Sequence, residues 1–322
     1  MSNQERFLVF GLGGIGAVHA LALTRAGHSV SAVARSNIQS VRQNGLSIKS
    51  SVFGDCQVNF EKVVSSSDSQ GTGVWTYVFV TTKALLNSSP SLPELLEPFV
   101  TEEATTIVLI QNGVGIEDGF RARWPKNTIV SCVTWIGATQ ISPGIVDHLQ
   151  GVKDDIGLFT SNLDPALEKQ RLERLSSVLA TGGLEVELLD NIQERRWEKV
   201  TWNCAWNSLT ALTNTNTLEW LTSSSDAEAL SRDVMKEVIT VAQGLGLNIS
   251  FDLIDTLMAR VSGKALISSM QVDAANNRPM ETEVIIGTPL RKARELGIAT
   301  PILRTLYALL IAKEGKYLGP SQ

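Results

Sequence analysis

The chain has 322 residues, of which 43% are hydrophobic and 19% charged, and its formal net charge is −5. This length and composition predict a globular protein of about two domains. The acidic balance, without any basic stretch, excludes non-specific binding to nucleic acid. The three cysteines are widely spaced and form no C-x-x-C pair. This pattern argues against a disulfide framework or a metal site, and it favours a reduced, cytoplasmic setting.

The apolar run at residues 7–23, "FLVFGLGGIGAVHALAL", contains four glycines and a histidine and lacks a net-positive flank. It is also slightly short for a membrane span. We therefore interpret it as a buried strand that turns into a helix, not as a targeting or membrane segment.

Strands and helices alternate in the first half of the chain. The predicted elements are a strand at 6–11, a helix at 15–25, strands at 28–35, 76–82, 105–113 and 128–137, a hairpin of 144–149 with 155–159, a helix at 165–180 and a strand at 184–189. This order predicts an α/β fold, a Rossmann-type doubly wound and largely parallel sheet, over residues 1–190.

After about residue 190 the hydrophobic pattern becomes helical. The predicted helices are 191–213, 226–246, 251–261, 280–296 and 301–314, the last announced by Thr300 and Pro301. Residues 191–322 are therefore predicted to form an all-helical C-terminal domain that binds the substrate. The helices 226–246 and 301–314 are candidates either for a homodimer interface or for the core of this domain.

A glycine loop follows the first predicted strand and opens the first predicted helix. The segment "GLGGIG" has the G-x-G-x-x-G pattern, and its residues are Gly11, Leu12, Gly13, Gly14, Ile15 and Gly16. In this context the first glycine permits a tight turn and the second lets backbone approach a pyrophosphate. The third allows close packing of helix on strand. The loop predicts a dinucleotide site.

The second strand indicates which dinucleotide binds. An NAD site usually ends this strand with an acid that holds the ribose 2′-hydroxyl. Here no acidic residue lies between Glu5 and Asp55, and Arg35 and Ser36 stand at the end of the strand. An arginine can bind a 2′-phosphate through charge-assisted hydrogen bonds, which favours NADP(H). The alternative is that Arg35 is an ordinary surface residue.

A polar stripe marks the helix predicted at 191–213. Lys199, Asn203 and Asn207 recur every four residues and so share one face. Trp197, Trp202 and Trp206 lie nearby, and Arg195 and Arg196 precede the lysine. Burial and neighbouring cations would lower the pKa of Lys199, which suits a proton donor to a ketone oxygen. The alternative is a solvated face with flanking aromatic residues.

The whole chain resembles the ketopantoate reductase (2-dehydropantoate 2-reductase) family. The matching segments, in the same order and spacing, are "GLGGIG", "TTKA" (81–84), "QNG" (111–113), "RWEKVTWNCAWNSLTAL" (196–212) and "SSMQVDAANNRPMETEVIIG" (268–287). The resemblance implies NADPH-dependent reduction of the ketone of a 2-keto acid to a hydroxyl group, as in the conversion of ketopantoate to pantoate for coenzyme A synthesis.

The resemblance also implies roles for individual residues. Lys199 resembles the catalytic lysine that protonates the forming alkoxide, and Glu281 the acid that binds substrate hydroxyls and helps to place the lysine. Asn203, Asn207 and Ser269 match substrate-contacting positions. Lys83 and Asn112 match residues beside the nicotinamide, and Arg35 matches the arginine of the 2′-phosphate.

Each of these assignments has a structural alternative. Lys83 could be a solvated loop lysine, and Ser269 could cap a helix. Asn112, which precedes a glycine, could serve only a turn. Glu281 could pair with Arg278, three residues earlier on a helix face.

The chain departs from the family pattern near Glu281. Where the family usually has "E-I-D-x-I-N-G", this chain reads "ETEVIIG", with Glu283 for the aspartate and Ile286 for the asparagine. Pro289 follows and is expected to bend the helix. Two other functions therefore stay open: reduction of a bulkier apolar ketone, and a non-catalytic NADP(H) sensor.

Overall fold

The computed structural model describes residues 5–66 and 73–318, and the chain divides into two compact units. The sheet unit comprises Met1–Lys83, Pro90–Gln111 and Glu117–Ile192. The helical unit comprises Ala84–Ser89, Asn112–Ile116 and Gln193–Gln322. A mixed α/β sheet region followed by a helical part is the fold class that the sequence predicted. Two short segments from the first half of the chain, 84–89 and 112–116, group with the helices.

The sheet unit contains two sheets. Its strands are β1 (Phe7–Phe10), β2 (Val30–Val33), β3 (Leu46–Ser50), β4 (Gly54–Val58), β5 (Val63–Val64), β6 (Tyr77–Val80), β7 (Thr106–Leu109), β8 (Ile129–Thr134), β9 (Gly137–Ser142), β10 (Ile145–Gln150), β11 (Lys153–Leu158) and β12 (Glu185–Leu188). The larger sheet has the order β12-β11-β8-β7-β6-β1-β2-β5, and the smaller one the order β4-β3-β10-β9. Over the residues that the structure describes, the β8–β11 pair is antiparallel and the other pairs of the larger sheet are parallel.

The central strands of the larger sheet are buried along their whole length. β1, β6 and β7 read "FLVF", "YVFV" and "TIVL", and every residue in them is buried. Parallel strands are covered on both faces, so continuous apolar runs are expected there in place of alternation. Their burial supplies much of the core of the sheet unit.

The predicted hairpin of 144–149 with 155–159 is wrong. β10 pairs antiparallel with β9 and parallel with β3 in the smaller sheet. β11 lies in the larger sheet, between β8 and β12. The turn at Gly151 therefore carries the chain from one sheet to the other. The segment 144–149 does form a hairpin, but with the preceding strand β9 and not with the following strand β11.

The helices follow the predicted pattern in the second half of the chain. The helices of the sheet unit, with α3 at its boundary in sequence, are α1 (Gly14–Arg25), α2 (Ile38–Asn44), α3 (Leu92–Leu96), α4 (Glu117–Arg123) and α5 (Pro165–Thr181). Those of the helical unit are α6 (Ile192–Thr213), α7 (Thr217–Leu221), α8 (Ala227–Gly244), α9 (Leu253–Val261), α10 (Ser269–Ala275), α11 (Thr288–Glu295) and α12 (Pro301–Leu318).

A π-helical turn, Glu283–Gly287, interrupts the helix that was predicted over 280–296. α11 continues directly from this turn, and Pro289 is its second residue. The irregularity is therefore a change of helix type just before the proline. Such turns are rare and are frequent at functional sites.

Candidate active site

Four predicted site segments follow neighbouring strands of the larger sheet. Gly11 follows β1, Arg35 follows β2, Lys83 lies three residues after β6, and Asn112 lies three residues after β7. The order β7-β6-β1-β2 is parallel throughout, so these segments leave the sheet at its carboxyl edge. The chain moves outward from β1 in opposite directions through β2 and β6. Ligands of doubly wound sheets bind at such a switch point.

The tight turn after β1 depends on two glycines. Gly11 has φ +108°, and a Cβ there would lie 2.7 Å from Thr82 Cγ2. A Cβ on Gly16 would overlap the Gly11 carbonyl oxygen. The Thr81 hydroxyl donates to that same carbonyl at 2.6 Å. The first and third glycines of the motif therefore have the packing reasons that the sequence predicted.

The start of α1 is open to a ligand. Gly13 is its N-cap, with no side-chain hydrogen bond, and a Cβ built on Gly13 meets nothing within 4 Å. On the other side, Gly14 packs so closely on β9 that its Cβ would overlap the Ala138 carbonyl. The uncapped N–H groups and the positive end of the helix suit a pyrophosphate. The residues present at this site fit a dinucleotide.

The sequence interpretation missed the side chain that holds this loop. Asn37 is 5% exposed, and its Nδ2 donates to the Leu12 carbonyl at 2.8 Å and to Gln140 Oε1 at 2.7 Å. It thus ties the glycine loop to β9. A buried asparagine just after the second strand was the available signal, but nothing local indicated its partners.

Arg35 and Ser36 are exposed directly after β2, and Asn37 follows them. The exposed Arg35 guanidinium is accessible to a phosphate. An ordinary surface arginine would be exposed in the same way, so exposure does not distinguish the two interpretations. Lys83 is also exposed. The absence of an acid from this strand end remains the discriminating feature.

A buried hydrogen-bonded cluster surrounds the carboxylate of Glu281 in the helical unit. Glu281 is 9% exposed. Its Oε1 accepts from the Ala84 N–H at 3.0 Å and its Oε2 from Asn112 Nδ2 at 3.1 Å. Hydrogen bonds to a charged, poorly solvated acceptor are strong and fix its orientation. The structure thus brings together Glu281 and Asn112, and adds a backbone donor from the "TTKA" segment.

Two of the structural alternatives are settled by this geometry. The Arg278 guanidinium contacts Asp273, with Nε 3.2 Å from Oδ1, and the Glu281 carboxylate takes the two donors just described. Asn112 does precede a turn, since Gly113 has φ +90°. Its side chain nevertheless bonds Glu281, so turn formation is not its whole role.

α6 bonds two backbone carbonyls near this cluster in sequence, one on each side of Lys199 along the helix. Arg196 donates from Nη1 to the Gly113 carbonyl at 3.1 Å. Cys204 donates from Sγ to the Ile285 carbonyl at 2.8 Å. Lys199 itself is half-buried. Because residues 196, 199, 203 and 204 recur at helical spacing, they lie along one broad face of α6.

The two asparagines of the polar stripe on α6 are buried, and Lys199 is half-buried. Asn203 and Asn207 are 5% and 4% exposed, so the alternative of a solvated face is wrong. Among the described residues, Asn203 Nδ2 has no hydrogen-bond partner. A buried donor without an acceptor is costly, and it suits a site where a ligand supplies the acceptor. Trp202 is half-buried and its ring meets that of Trp206 edge-on, with centroids 6.0 Å apart.

The two arginines that precede Lys199 differ in their surroundings. Arg195 pairs with Glu198 at 2.8 Å, so its charge is opposed on the helix surface. Arg196 is 2% exposed and is among the largest fully buried side chains. Arg196 thus supports the backbone beside Asn112 from a buried position, whereas Arg195 lies on the helix surface.

The two remaining predicted positions, Ser269 and Ile286, differ in exposure. Ser269 is exposed as the first residue of α10, and the helix cap is Ser268, whose Oγ accepts from the Gln271 N–H. The alternative of Ser269 as a cap is therefore wrong by one residue. Ile286, the departure expected to change pocket polarity, has no exposed surface.

Comparison with known proteins places the chain. The family model "Ketopantoate reductase PanE/ApbA" matches residues 7–161, and its C-terminal counterpart matches residues 191–314. The chain belongs to the ketopantoate reductase family. It is 29% identical to a 2-dehydropantoate 2-reductase of Nostoc sp. over 98% of this chain and 97% of that protein.

Solved structures agree with the family assignment. The chain is similar to the 2-dehydropantoate 2-reductase of Methylococcus capsulatus, with a TM-score of 0.85, 29% identity and coverage of 97% of this chain and 98% of that one. A D-mandelate dehydrogenase solved with NADH and anilino(oxo)acetate shares the fold, with a TM-score of 0.85 at 22% identity, over 97% and 99% of the two chains. Over residues 5–66 and 73–318, no helix is both long and apolar enough to cross a membrane.

Proposed function

We propose that the protein is an NADPH-dependent reductase that converts a 2-keto acid or a related ketone to the hydroxy compound, of the ketopantoate-to-pantoate type. The observation that carries this proposal is the hydrogen bond from Asn112 to the buried Glu281 carboxylate. On either side of Lys199 along the helix, α6 bonds the nearby carbonyls of Gly113 and Ile285. The similarity to proteins named 2-dehydropantoate 2-reductase supports it.

The cofactor would lie across the carboxyl edge of the larger sheet. The open Gly13 and the uncapped start of α1 would hold its pyrophosphate. Arg35 and Ser36, exposed after β2, would hold the 2′-phosphate. When bound, NADPH supplies the hydride that reduces the carbonyl carbon.

The proton comes from the protein. Reduction of a ketone leaves negative charge on its oxygen, and the Lys199 ammonium polarises and then protonates that oxygen. Lys199 regains its proton from solvent. The Glu281 carboxylate orients this chemistry by accepting hydrogen bonds from the substrate hydroxyl, while Asn112 holds the carboxylate in place.

Polar donors on α6 would bind the rest of the substrate. The unpartnered Asn203 Nδ2, together with Asn207, would donate to a carboxylate or hydroxyl oxygen of the keto acid. The exposed hydroxyl of Ser269, at the start of α10, would make a further contact with the substrate. Because Ile286 exposes no surface, its replacement of asparagine does not by itself make the site apolar.

A substrate panel tests the proposal. We expect oxidation of NADPH that depends on an added ketone, with ketopantoate, hydrophobic 2-keto esters and cyclic diketones compared under steady state. A kcat/KM for ketopantoate hundreds of times below that of another ketone would reject the biosynthetic role and retain the reductase. Cofactor binding without ketone-dependent turnover on any member would identify a sensor and reject the enzyme.

A further inference from the structure

Three side chains form a charged cluster on the π-helical turn, away from the atoms proposed to react. The Glu283 carboxylate accepts from the Tyr307 hydroxyl at 2.5 Å and from Arg291 Nη1 at 2.6 Å. Arg291 also donates from Nη2 to the Thr288 hydroxyl at 3.0 Å. The Glu283 side chain is 12% exposed and that of Arg291 45%. Burial and the neighbouring Glu283 raise the pKa of Tyr307 to about 12, so its hydroxyl stays a donor.

The backbone is shaped to admit this cluster. A Cβ on Gly287 would lie 2.6 Å from Glu283 Oε2 and 3.2 Å from Arg291 Nη1. Glycine therefore leaves the space that the carboxylate and the guanidinium occupy. The cluster joins the turn to α11 through Arg291 and to α12 through Tyr307, so three separate elements share one set of bonds.

The same turn supports the segment that carries Asn112. The Val284 carbonyl accepts from the Val114 N–H at 3.0 Å. Gly113 packs so closely on Val284 that a Cβ there would overlap the valine side chain. Glu281 lies two residues before the turn, and its carbonyl accepts from the Ile285 N–H at 3.1 Å. The turn is thus bonded to the backbone of Glu281 itself and to the backbone of Val114, two residues after Asn112.

We propose that Glu283, Arg291 and Tyr307 are positioning residues that hold the π-helical turn and thereby set the geometry of the Glu281–Asn112 pair. This inference rests on the proposed function, since it assigns the cluster a part in the same reaction. A π-helical turn is uncommon and needs support from outside its own hydrogen bonds. The three-way cluster provides that support from two other helices. It also accounts for Glu283, the acid that stands where the family usually has aspartate.

The test uses Tyr307→Phe and Arg291→Met in the full chain, with Arg291→Lys as the conservative variant. Tyr317→Phe is the matched control, because Tyr317 lies on the same helix and donates its hydroxyl to the Arg278 carbonyl at 3.2 Å. We expect Tyr307→Phe and Arg291→Met to lower kcat about tenfold, since small misplacement of reacting groups is costly. We expect the Kd for NADPH to change less than about twofold, because the glycine loop and Arg35, which are proposed to hold the cofactor phosphates, are not altered. Arg291→Lys should recover most of the rate.

Hydrogen exchange gives a readout that does not need turnover. The Val114 amide should exchange faster in Tyr307→Phe and Arg291→Met than in Tyr317→Phe, while amides in the middle of α8 keep their protection. Unchanged kcat in an active enzyme, unchanged Val114 exchange, or an equal loss of protection throughout the helical unit would each overturn the positioning role. A wild-type protein inactive on every ketone would instead reject the proposed function, and Val114 exchange would still decide whether the cluster holds the segment.

Discussion

Replacement of Asn112 by aspartate reverses the interaction that organises the proposed site. Asn112 Nδ2 donates to Glu281 Oε2 at 3.1 Å, and Glu281 is 9% exposed. Asn112→Ala removes this one bond to a charged group, a loss of about 1.5–3 kcal/mol. Asn112→Asp removes the same bond and places a second carboxylate against the first. At ~3 Å and an effective dielectric constant of ~20 the repulsion is about 5 kcal/mol.

Relaxation reduces that figure. Asn112 is half-buried, so an aspartate can rotate toward water and keep roughly half of the unrelaxed repulsion, about 2–3 kcal/mol. We therefore expect the aspartate variant to be about 2–3 kcal/mol less stable than the alanine variant at pH 8. The aspartate variant would then lose about 3.5–6 kcal/mol in all, compared with a typical free energy of unfolding of about 5–15 kcal/mol for a domain.

Urea unfolding at pH 8 measures this difference. Three of the seven tryptophans lie on α6, namely Trp197, Trp202 and Trp206, so fluorescence includes a signal from the helical unit. The free energies of unfolding of wild type, Asn112→Ala and Asn112→Asp are compared, with the same dependence on urea concentration (m value) for all three. If Asn112→Asp proves as stable as Asn112→Ala, the two side chains do not face each other, and the Glu281–Asn112 pair must be discarded as the centre of the site.

Three further predictions address the proton donor, the cofactor and the pH dependence of stability. Lys199→Ala should lower kcat by ~10²–10⁴-fold with little change in NADPH affinity, and unimpaired turnover would remove its role. Arg35→Ala should weaken NADPH more than NADH in a binding titration, whereas equal weakening would remove the phosphate contact. The buried His19–Asp154 pair, 2.8 Å apart, should make stability fall with pH. Burial lowers the pKa of His19, but the charge and hydrogen bond of Asp154 outweigh this and leave the pKa raised above 6.5. The pair's contribution is therefore complete below pH 6.5 and is lost as the pH rises through the raised value. The urea midpoints of wild type and Asp154→Asn should therefore approach each other as the pH rises through that range. Burial lowers the pKa of His28, which gives an opposite pH dependence, but this contribution is the same in both proteins and cancels in the comparison. A constant difference between the two midpoints would contradict the linkage.

The fold class could be predicted because its signals are local. The apolar runs at β1, β6 and β7 and the glycine loop at Gly11–Gly16 need only a short window of sequence. Helical periodicity located α6, α8, α9 and α12 within a few residues. The small sheet was missed because β3 and β4 are short and partly exposed, and because the parallel pairing of β3 with β10 joins segments about a hundred residues apart.

The site was partly predictable for a related reason. The residue types of Lys199, Asn203, Asn207 and Glu281 could be recognised in their motifs, but a motif does not show which atoms meet. Asn37 and Arg196 escaped notice as supports because their partners, the carbonyls of Leu12 and Gly113, carry no sequence signal. Any residue has a carbonyl, and only the folded chain decides which one a buried side chain reaches.

The amino-acid order by itself determined the order of the elements, the dinucleotide loop and the family. Each of these can be recognised from residues that are close together along the chain. Tertiary structure alone decided that residues 84 and 112, which leave two adjacent strands, deliver their donors to the carboxylate of Glu281. It also decided that Glu283, in the π-helical turn that follows Glu281, bonds Arg291 and Tyr307. These contacts span between 8 and 197 positions of chain. Their formation depends on the packing of whole elements, which short-range patterns do not encode.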